Sequence, residues 1–277
     1  MINKIIAKAR IGWRKKRYRY SLYLGIVLGL FFLASSIISA LLFGVLPGKA
    51  VNLLPDVHVP ATSDRVLVLS PHCDDETLAV GGYDYEAVKA GAQVHIVLVT
   101  DCNKHGWEQT RLREFKNAAK DIGVPEKNLE FWNFKEGARD EKQLDSMQKM
   151  IKAEIKTFQP TVVFAPMTQD SHYDHYLVGK AYLEAAKDIG YSGISYGYLV
   201  HHRYYPQPKR YATKDYLTPP ILYLNYGQGW SKLMLSQEAE DVKNEAVLGY
   251  RSQLRIPLLG TLLKSMVRRD EVYIKLN

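Results

Sequence analysis

The chain of 277 residues is 47% apolar and 24% charged, which fits one globular domain with a sizeable core plus an additional apolar segment. The formal net charge of +8 would suggest a nucleic-acid partner if the cations lay in the folded part. Residues 1–19, however, hold eight lysines and arginines and no acid, and the other 29 match the 29 acids, so we expect no nucleic-acid partner. The two cysteines are too few for a disulfide framework.

An uncharged stretch follows the basic segment and extends from residue 20 to residue 48. About 20 apolar residues are enough to span a bilayer, and cations beside a span favour the cytoplasmic side. We therefore predict a basic cytoplasmic segment over 1–19 and a single transmembrane anchor over 20–46, in a cell-membrane protein whose remaining chain lies outside. A cleavable signal peptide is the alternative, although this apolar stretch is longer than the usual signal core.

Prolines and a glycine mark residues 47–64, which we interpret as a linker. Strand and helix patterns then alternate: strands are predicted over 65–69, 93–99, 129–131 and 161–165, and helices over 77–90, 107–122, 145–158 and 175–189. Short apolar strands that alternate with helices indicate an α/β fold, in which a mostly parallel sheet carries helices on both faces. We assign residues 65–277 to this one domain.

The pattern changes after Gly190. Strands are predicted over 194–200 and 221–226, and a helix over 236–254, followed by a short amphipathic segment over 256–267. Residues 201–220 are rich in Tyr, Pro, Arg and His and have no period. The last third of the domain is therefore expected to be less regular than the rest.

Two polar clusters follow predicted strands. The first strand runs into Ser70-Pro71, and one imidazole and three carboxylates come directly after it: His72, Asp74, Asp75 and Glu76. The second cluster, residues 170–175, follows the strand predicted over 161–165 and reads DSHYDH. Ligands of open α/β sheets bind beyond the carboxyl ends of the strands, so we expect the two clusters to converge.

The converging side chains suit a catalytic zinc ion, which takes three protein ligands from His and Asp or Glu. Two histidines and one aspartate would supply them: His72, Asp75 and His175. Zinc lowers the pKa of a bound water and polarises a carbonyl, as amide hydrolysis requires. Asp74 and His172 then remain as acid/base groups, with Asp174 to orient His172, and a cationic histidine opposite the water would stabilise the oxyanion.

Some of these polar side chains have simpler explanations. Asp74 suits a helix N-cap, a role that Asp favours. Glu76 is better explained as a first-turn carboxylate that complements the helix dipole than as a catalytic group. His201 and His202 follow a predicted strand, and they are interpreted either as part of a substrate groove or as polar loop residues.

Four segments, in this order, resemble the PIG-L/LmbE-like de-N-acetylases. Residues 71–76, PHCDDE, are similar to the PHPDDE signature of that family, and residues 172–175, HYDH, are similar to its HxDH signature. Residues 111–124 resemble its R-x-x-E…A…LGV helix, and residues 243–253 resemble its K…Y-x-SQ segment. The likeness covers about residues 65–255.

The resemblance implies a Rossmann-like fold and a zinc-dependent hydrolase that removes acetyl from N-acetylglucosamine-type sugars. Carried over by position, the roles are zinc ligands for His72, Asp75 and His175, general base for Asp74, oxyanion stabiliser for His172 with Asp174 behind it, and substrate contact for Arg111. An ion pair with Glu114, three residues along the same helix, is the simpler alternative for Arg111.

Cys73 departs from the family pattern, which has proline at this position. Three interpretations stay open: a small residue in the turn, a disulfide with Cys102, or a thiolate ligand of zinc. The disulfide is consistent with two strand ends that would be neighbours and with an oxidising space outside the membrane.

The sequence thus predicts a membrane-anchored, outward-facing zinc de-N-acetylase whose substrate is an amino-sugar glycoconjugate. The alternatives are hydrolysis of another amide or of an O-acyl ester at the same zinc site, a non-catalytic sugar-binding protein on the same fold, and a membrane protein whose outer part only docks a partner. The filled catalytic positions argue against the sugar-binding alternative.

Overall fold

An N-terminal helix precedes a domain built on one β-sheet. The computed structural model describes residues 2–104, 106–138, 140, 142–202, 205–227 and 229–277. Backbone contacts separate two units, Met1–Gly44 and Val45–Asn277. The first unit is a single helix, α1 (Ile2–Phe43).

Helix α1 contains one candidate membrane span, Lys16–Leu41, whose 26 residues would extend roughly 39 Å as a helix. The hydrocarbon core of a bilayer is about 30 Å thick, so this segment is long enough to cross it. None of its side chains is buried by another part of the described chain. Length and composition agree with a membrane span, and a signal sequence would meet the same criteria.

Strands and helices alternate through most of the second unit. Its described strands are β1 (Arg65–Ser70), β2 (Gln93–Thr100), β3 (Leu129–Phe134), β4 (Val162–Pro166), β5 (Ile194–Tyr198), β6 (Trp230–Met234) and β7 (Asp270–Lys275). Its described helices are α2 (Asp75–Lys89), α3 (Glu108–Ile122), α4 (Lys142–Phe158), α5 (Tyr173–Ile189), α6 (Gln237–Gly249), α7 (Arg251–Leu254) and α8 (Leu259–Ser265). Short 3-10 turns occupy Gly48–Leu53, Glu126–Asn128 and Ile221–Tyr223.

The strands form one sheet in the order β3-β2-β1-β4-β5-β7-β6. The first five strands run parallel, whereas β7 is antiparallel to both β5 and β6. Helices α2, α3 and α6 cover one face, and α4 and α5 cover the other, each packing apolar side chains onto the strands. The predicted α/β fold, a mostly parallel sheet with helices on both faces, is confirmed.

Burial on both faces explains why β1 is a continuous apolar run. Val66 and Val68 pack into the core on one face of the sheet, while Leu67 and Leu69 pack into the core on the other. A strand that is covered on both sides has no position for a solvated side chain. The run ends at Ser70, whose hydroxyl donates to the carbonyl of His72 at 2.7 Å and so turns the chain into the first polar cluster.

The last third of the domain differs from the sequence-based prediction. Residues 221–226, predicted as a strand, contain the 3-10 turn Ile221–Tyr223 instead. The prediction also omits β6 and β7. Strand β7 begins with two acids, Asp270 and Glu271, which do not resemble an apolar strand in the sequence but are buried as acceptors of backbone N–H groups. The helix predicted over 236–254 is divided at Tyr250 into α6 and α7.

The segment predicted as a linker, 47–64, packs on the domain. Val51 and Val57 are 0% and 5% exposed. The Val57 N–H donates to the carbonyl of Lys232 at 2.9 Å, and the Lys232 N–H donates to the carbonyl of Pro55 at 2.9 Å. Prolines and glycine predict the irregular backbone of this segment correctly, but they do not indicate whether its valines reach a core.

Gly179 allows α5 to approach the end of β4. A β-carbon at this position would lie 2.3 Å from the carbonyl oxygen of Pro166 and 3.3 Å from the amide nitrogen of Thr168. Both are backbone atoms, which cannot rotate away as the end of a side chain can. The glycine therefore sets the separation between β4 and the helix that begins in the second polar cluster.

We predict that Gly179→Ala destabilises the protein by about 1–3 kcal/mol, because the added methyl group forces α5 away from β4. Gly249→Ala is the matched control, since a β-carbon there meets nothing within 4 Å. Thermal unfolding of the full-length protein, followed by circular dichroism, measures both variants. Equal melting temperatures would show that the close approach at Gly179 is not needed.

Candidate metal centre

The two polar clusters meet at the carboxyl edge of the sheet, where the strand order changes direction. Strands β1 and β4 are neighbours, but the chain continues from β1 to β2 on one side and from β4 to β5 on the other. Such a switch point leaves a crevice in which open α/β proteins bind ligands. His72 lies two residues after β1, and His175 lies in the first turn of α5, after β4.

Three side-chain atoms form a triangle in this crevice, which we call the metal triangle: Nδ1 of His72, Oδ2 of Asp75 and Nε2 of His175. Oδ2 of Asp75 lies 3.1 Å from the His72 nitrogen and 3.0 Å from the His175 nitrogen. The two nitrogens are 3.3 Å apart. Ligand atoms at about 2.0–2.1 Å from a tetrahedral zinc ion lie roughly 3.3 Å from one another, so the spacing fits zinc.

Burial makes a cation the natural partner of the metal triangle. His72, Asp75 and His175 are 3%, 0% and 0% exposed. Oδ1 of Asp75 accepts no hydrogen bond from any described residue. A buried carboxylate is costly unless it is paired or coordinates a metal. The donor set, two imidazole nitrogens and a carboxylate, therefore fits a divalent ion such as zinc.

A carboxylate lies behind each imidazole of the metal triangle. Nε2 of His72 lies 3.1 Å from Oδ2 of Asp174, and Nδ1 of His175 lies 3.2 Å from Oδ2 of Asp170. A metal-binding imidazole needs such a partner, which sets its tautomer and orientation. Asp174, predicted to orient His172, contacts that ring through its backbone N–H, whereas its carboxylate Oδ2 lies 3.9 Å from Nδ1 of His172.

Asp170 and His201 also belong to the site, although the sequence gives Asp170 no role and leaves His201 undecided. Oδ2 of Asp170 accepts hydrogen bonds from the backbone N–H groups of Val200 and His201, both at 2.9 Å. Nε2 of His201 consequently lies 3.5 Å from Oδ1 of Asp75. His201 is thus a further nitrogen donor beside the metal triangle. In the sequence, its position after a predicted strand is the feature that points to a place in the site.

Asp74 lies beside the metal triangle, at the N-cap position of α2. Its side chain makes no capping hydrogen bond with the described residues, so the N-cap alternative does not account for it. The carboxylate is buried and lines a cavity together with His72 and His172. Burial, and then the neighbouring charge of Asp75, raises the pKa of Asp74 to about 7. A carboxyl group with this pKa can accept and donate a proton near neutral pH.

His172 caps α5 with its ring: the Asp174 N–H donates to Nδ1 of His172 at 3.2 Å. A ring nitrogen that accepts a hydrogen bond carries no proton, so the ring is neutral and its proton is on Nε2. Burial, followed by the charges of His72 and His175, lowers the pKa of His172 to about 3. The expectation of a cationic His172 is therefore corrected, because the residue lines the cavity as a neutral imidazole.

Arg111 is buried, and hydrogen bonds fix its guanidinium at the wall of the same cavity. Nη1 donates to the carbonyl of Cys102 at 3.0 Å and to Oε2 of Glu136 at 2.7 Å. Nη2 donates to Oε1 of Gln253 at 3.2 Å. The alternative ion pair with Glu114 is wrong, because Glu114 accepts hydrogen bonds from the first turn of α7 instead.

Glu76 is a structural residue of the first polar cluster. It is buried and accepts hydrogen bonds from the hydroxyl groups of Thr77 at 2.8 Å and Tyr250 at 2.6 Å, and its Oε2 lies 2.9 Å from Oγ of Ser70. Burial raises the pKa of Glu76 to about 7. Its carboxylate therefore ties the cluster to the junction of α6 and α7, a role that the predicted helix-dipole interaction does not include.

Cys73 and Cys102 form a disulfide, with their α-carbons 6.1 Å apart. Both residues are buried, and the bond joins the loop after β1 to the loop after the neighbouring strand β2. The sequence leaves three interpretations of Cys73 open, and the structure agrees with the disulfide. The sulfur of Cys73 is therefore not a thiolate ligand in this state.

A cavity of about 210 Å³ adjoins the metal triangle. Its polar lining includes Asp74, Lys104, Arg111, Glu136, His172, His201 and Gln253, and its apolar lining includes Trp107, Ile256 and Leu259. Apolar walls with a few directed polar groups are typical of small-molecule sites. His72 of the metal triangle, Asp74 and His172 thus line the same cavity.

Residues 67–186 match the model of a family described as PIG-L, GlcNAc-PI de-N-acetylase. A deacetylase triple mutant (Orf2*T) from the teicoplanin biosynthetic pathway has a similar structure, at a TM-score of 0.58 and 17% identity, over 77% of this chain and 99% of that chain. N,N'-diacetylchitobiose deacetylase from Pyrococcus horikoshii has a TM-score of 0.55 and 20% identity, over 87% of this chain and 92% of that chain.

A third similar structure has a different activity. GalB, the 4-carboxy-2-hydroxymuconate hydratase from Pseudomonas putida KT2440, has a TM-score of 0.50 and 18% identity, over 73% of this chain and 82% of that chain. At such identities the structures show a shared fold. Because the fold carries more than one chemistry, the function must be argued from the site.

We predict that Asp174→Asn weakens zinc binding by roughly 10–100-fold, because it removes the negative charge behind His72. Asp188→Asn is the matched control, since Asp188 lies near the other end of α5 and pairs with Lys152 at the surface. Competition with a chelator, followed by metal analysis, measures the affinity. The same affinity for Asp174→Asn and the control would contradict the supporting role of Asp174.

Proposed function

Since residues 67–186 match the model of the PIG-L family and contain three of the four motifs, we propose that this protein is a zinc-dependent de-N-acetylase. Its proposed substrates are N-acetylglucosamine-type sugars in a surface glycoconjugate. One observation carries the proposal: His72 of the metal triangle, the buried carboxylate of Asp74 and the neutral imidazole of His172 line one cavity, and Asp75 and His175 lie directly behind His72.

In this proposal, His72, Asp75 and His175 hold the zinc ion. A bound zinc ion supplies Lewis-acid polarisation of the acetyl carbonyl and a water whose pKa is lowered to about 7. Asp174 and Asp170 fix the rings of the two histidines, so that each ring keeps one nitrogen directed into the metal triangle.

Asp74 is the proposed general base. A pKa of about 7 leaves part of its carboxylate ionised near neutral pH, ready to take a proton from the attacking water. Once protonated, Asp74 can pass this proton to the departing nitrogen, which leaves as a neutral amine. His172, with its proton on Nε2, donates a hydrogen bond to the oxygen that becomes negative, an effect of about 3 kcal/mol by analogy with other oxyanion donors.

The cavity lining supports a sugar as the substrate. Arg111 and Gln253 place polar groups along one wall, and Trp107 adds an aromatic ring to the lining. Hydroxyl groups of a sugar suit such polar groups, while the apolar face of the sugar ring suits an aromatic one. We propose no nucleic-acid partner, because the charges outside residues 1–19 balance.

We predict that Asp74→Asn retains zinc but lowers kcat by roughly 10²–10⁴-fold, because the amide cannot accept the proton. His175→Ala should lose both zinc and turnover. Asp121→Asn, at an exposed position of α3, is the matched control. Acetate release from N-acetylglucosaminyl substrates, measured together with metal content on the full-length protein, tests all three. Full turnover by Asp74→Asn would show that Asp74 is not the general base.

The same assay separates the alternatives. Release of acetate from O-acetyl esters but not from N-acetyl sugars would indicate an esterase. A zinc-loaded protein that binds N-acetyl sugars without hydrolysing them would be a sugar-binding protein. Absence of stoichiometric zinc would leave partner docking as the function.

We also propose that α1 anchors the protein in the cell membrane, with the N-terminus in the cytoplasm and the catalytic domain outside. The eight cations of residues 1–19 directly precede the uncharged stretch, and cations favour the cytoplasmic side of a span. The charge-free length of the stretch favours an uncleaved anchor over a signal peptide.

We predict that a protease added to intact cells digests the catalytic domain but leaves an N-terminal epitope tag intact. Permeabilised cells should lose both. Immunoblots with antibodies to the tag and to the domain measure the two outcomes. Protection of the domain in intact cells would reverse the proposed orientation, and release of a shorter soluble domain would indicate a cleaved signal peptide.

A further inference from the structure

Cys73 and Cys102 belong to a closed circuit of one covalent bond and three hydrogen bonds. The disulfide joins the two side chains. Nε2 of Gln253 donates to the carbonyl of Cys73 at 2.9 Å, and Oε1 of the same amide accepts from Nη2 of Arg111 at 3.2 Å. Nη1 of Arg111 donates to the carbonyl of Cys102 at 3.0 Å, which closes the circuit.

The circuit joins four separate parts of the chain around the cavity. Cys73 lies after β1, Cys102 after β2, Arg111 in α3 and Gln253 in α7. All four residues are buried, and the arginine and the glutamine line the cavity. If the disulfide were lost, hydrogen bonds alone would join the two strand ends: those of the circuit, and those from the N–H and the hydroxyl of Thr100 to the carbonyl of Pro71.

The backbone of Cys73 sets the direction of the proposed base. Cys73 stands between the metal ligand His72 and Asp74. The Asp74 N–H donates to the carbonyl of His72 at 3.0 Å, and the Asp74 side chain makes no capping hydrogen bond within the described chain. A shift of the backbone at Cys73 would therefore move the Asp74 carboxylate.

Cys102 adopts a conformation that needs support. Its φ is +53°, in the left-handed region that residues with a β-carbon rarely occupy. The crosslink and the hydrogen bond from Arg111 hold it there. Without the crosslink, Cys102 would keep the hydrogen bond from Arg111 but would lose its covalent link to the loop after β1.

We propose that the Cys73–Cys102 disulfide is a positioning element of the active site, which holds Asp74 and Arg111 in place. It would replace the backbone restraint that proline gives at this position in the family signature. The inference rests on the proposed deacetylase function. Metal binding does not depend on the disulfide, because the histidines of the metal triangle are fixed by Asp174 and Asp170.

Reduction of the disulfide tests the proposal on the full-length, zinc-loaded protein in detergent. A phosphine reductant converts the bond to two thiols and takes up one oxygen atom from water as the phosphine oxide, and unlike a dithiol it does not chelate zinc through sulfur. We expect kcat/KM for acetate release to fall at least tenfold, while zinc content and the far-ultraviolet circular dichroism stay unchanged. Unchanged kcat/KM after complete reduction would overturn the proposal.

Two double variants separate positioning from general stability. Cys73→Ser/Cys102→Ser should match the reduced wild type. Cys73→Pro/Cys102→Ser should regain at least half of the wild-type kcat/KM and should not respond to the reductant, because the proline ring restrains the backbone without a crosslink. The proposal is wrong if the serine variant is as active as the wild type, or if the proline variant is no better than the serine variant.

Amide hydrogen exchange gives a readout that does not require activity. Exchange over residues 70–78 and 100–112 should accelerate on reduction and in the serine variant, and the proline variant should restore protection over 70–78. If the oxidised protein releases acetate from no N-acetyl sugar, the proposed function fails, while the exchange data still decide the positioning role. Unchanged hydrogen exchange on reduction would show that the disulfide does not position the active site.

Discussion

Oδ2 of Asp75 is the atom on which both ligand-bearing segments converge. An imidazole that follows β1 and one that follows β4 both lie close to it, at 3.1 Å and 3.0 Å. A buried carboxylate between two imidazoles is stable only when positive charge, as protons or as a metal ion, compensates it. The surrounding fold meets the geometric part of this requirement, since β1 and β4 are adjacent and Gly179 lets α5 approach closely.

The second polar cluster supplies the supports as well as a ligand. Asp174 lies behind the ring of His72, and Asp170 lies behind the ring of His175. Asp170 also accepts hydrogen bonds from two backbone N–H groups of the chain after β5. That second contact brings His201 to the metal triangle. The site therefore draws on the ends of three neighbouring parallel strands, as the fold allows.

Residues 243–253 hydrogen-bond to several of the segments that form the site. Lys243 pairs with Glu271 at 2.5 Å, and Tyr250 donates to Glu76 at 2.6 Å. The first turn of α7 then binds α3 and the loop after β1, through Ser252 to Glu114 at 2.5 Å and through Gln253 to Cys73 at 2.9 Å. Polar side chains of a segment distant in sequence thus satisfy buried partners around the site.

The sequence by itself determined the α/β class, the polar clusters at two strand ends and the three side chains of the metal triangle, because hydrophobic period and strand-end position are local properties of the chain. The tertiary structure alone decided features that depend on which remote segments meet. Asp270 and Glu271 can lie in a buried strand because backbone N–H groups of remote segments donate to them. The valines of 47–64 are in the core because that segment packs on the domain. Spatial neighbours likewise assign Asp174 to His72 and join Cys73 to Cys102, since both pairings connect loops that are remote in the chain.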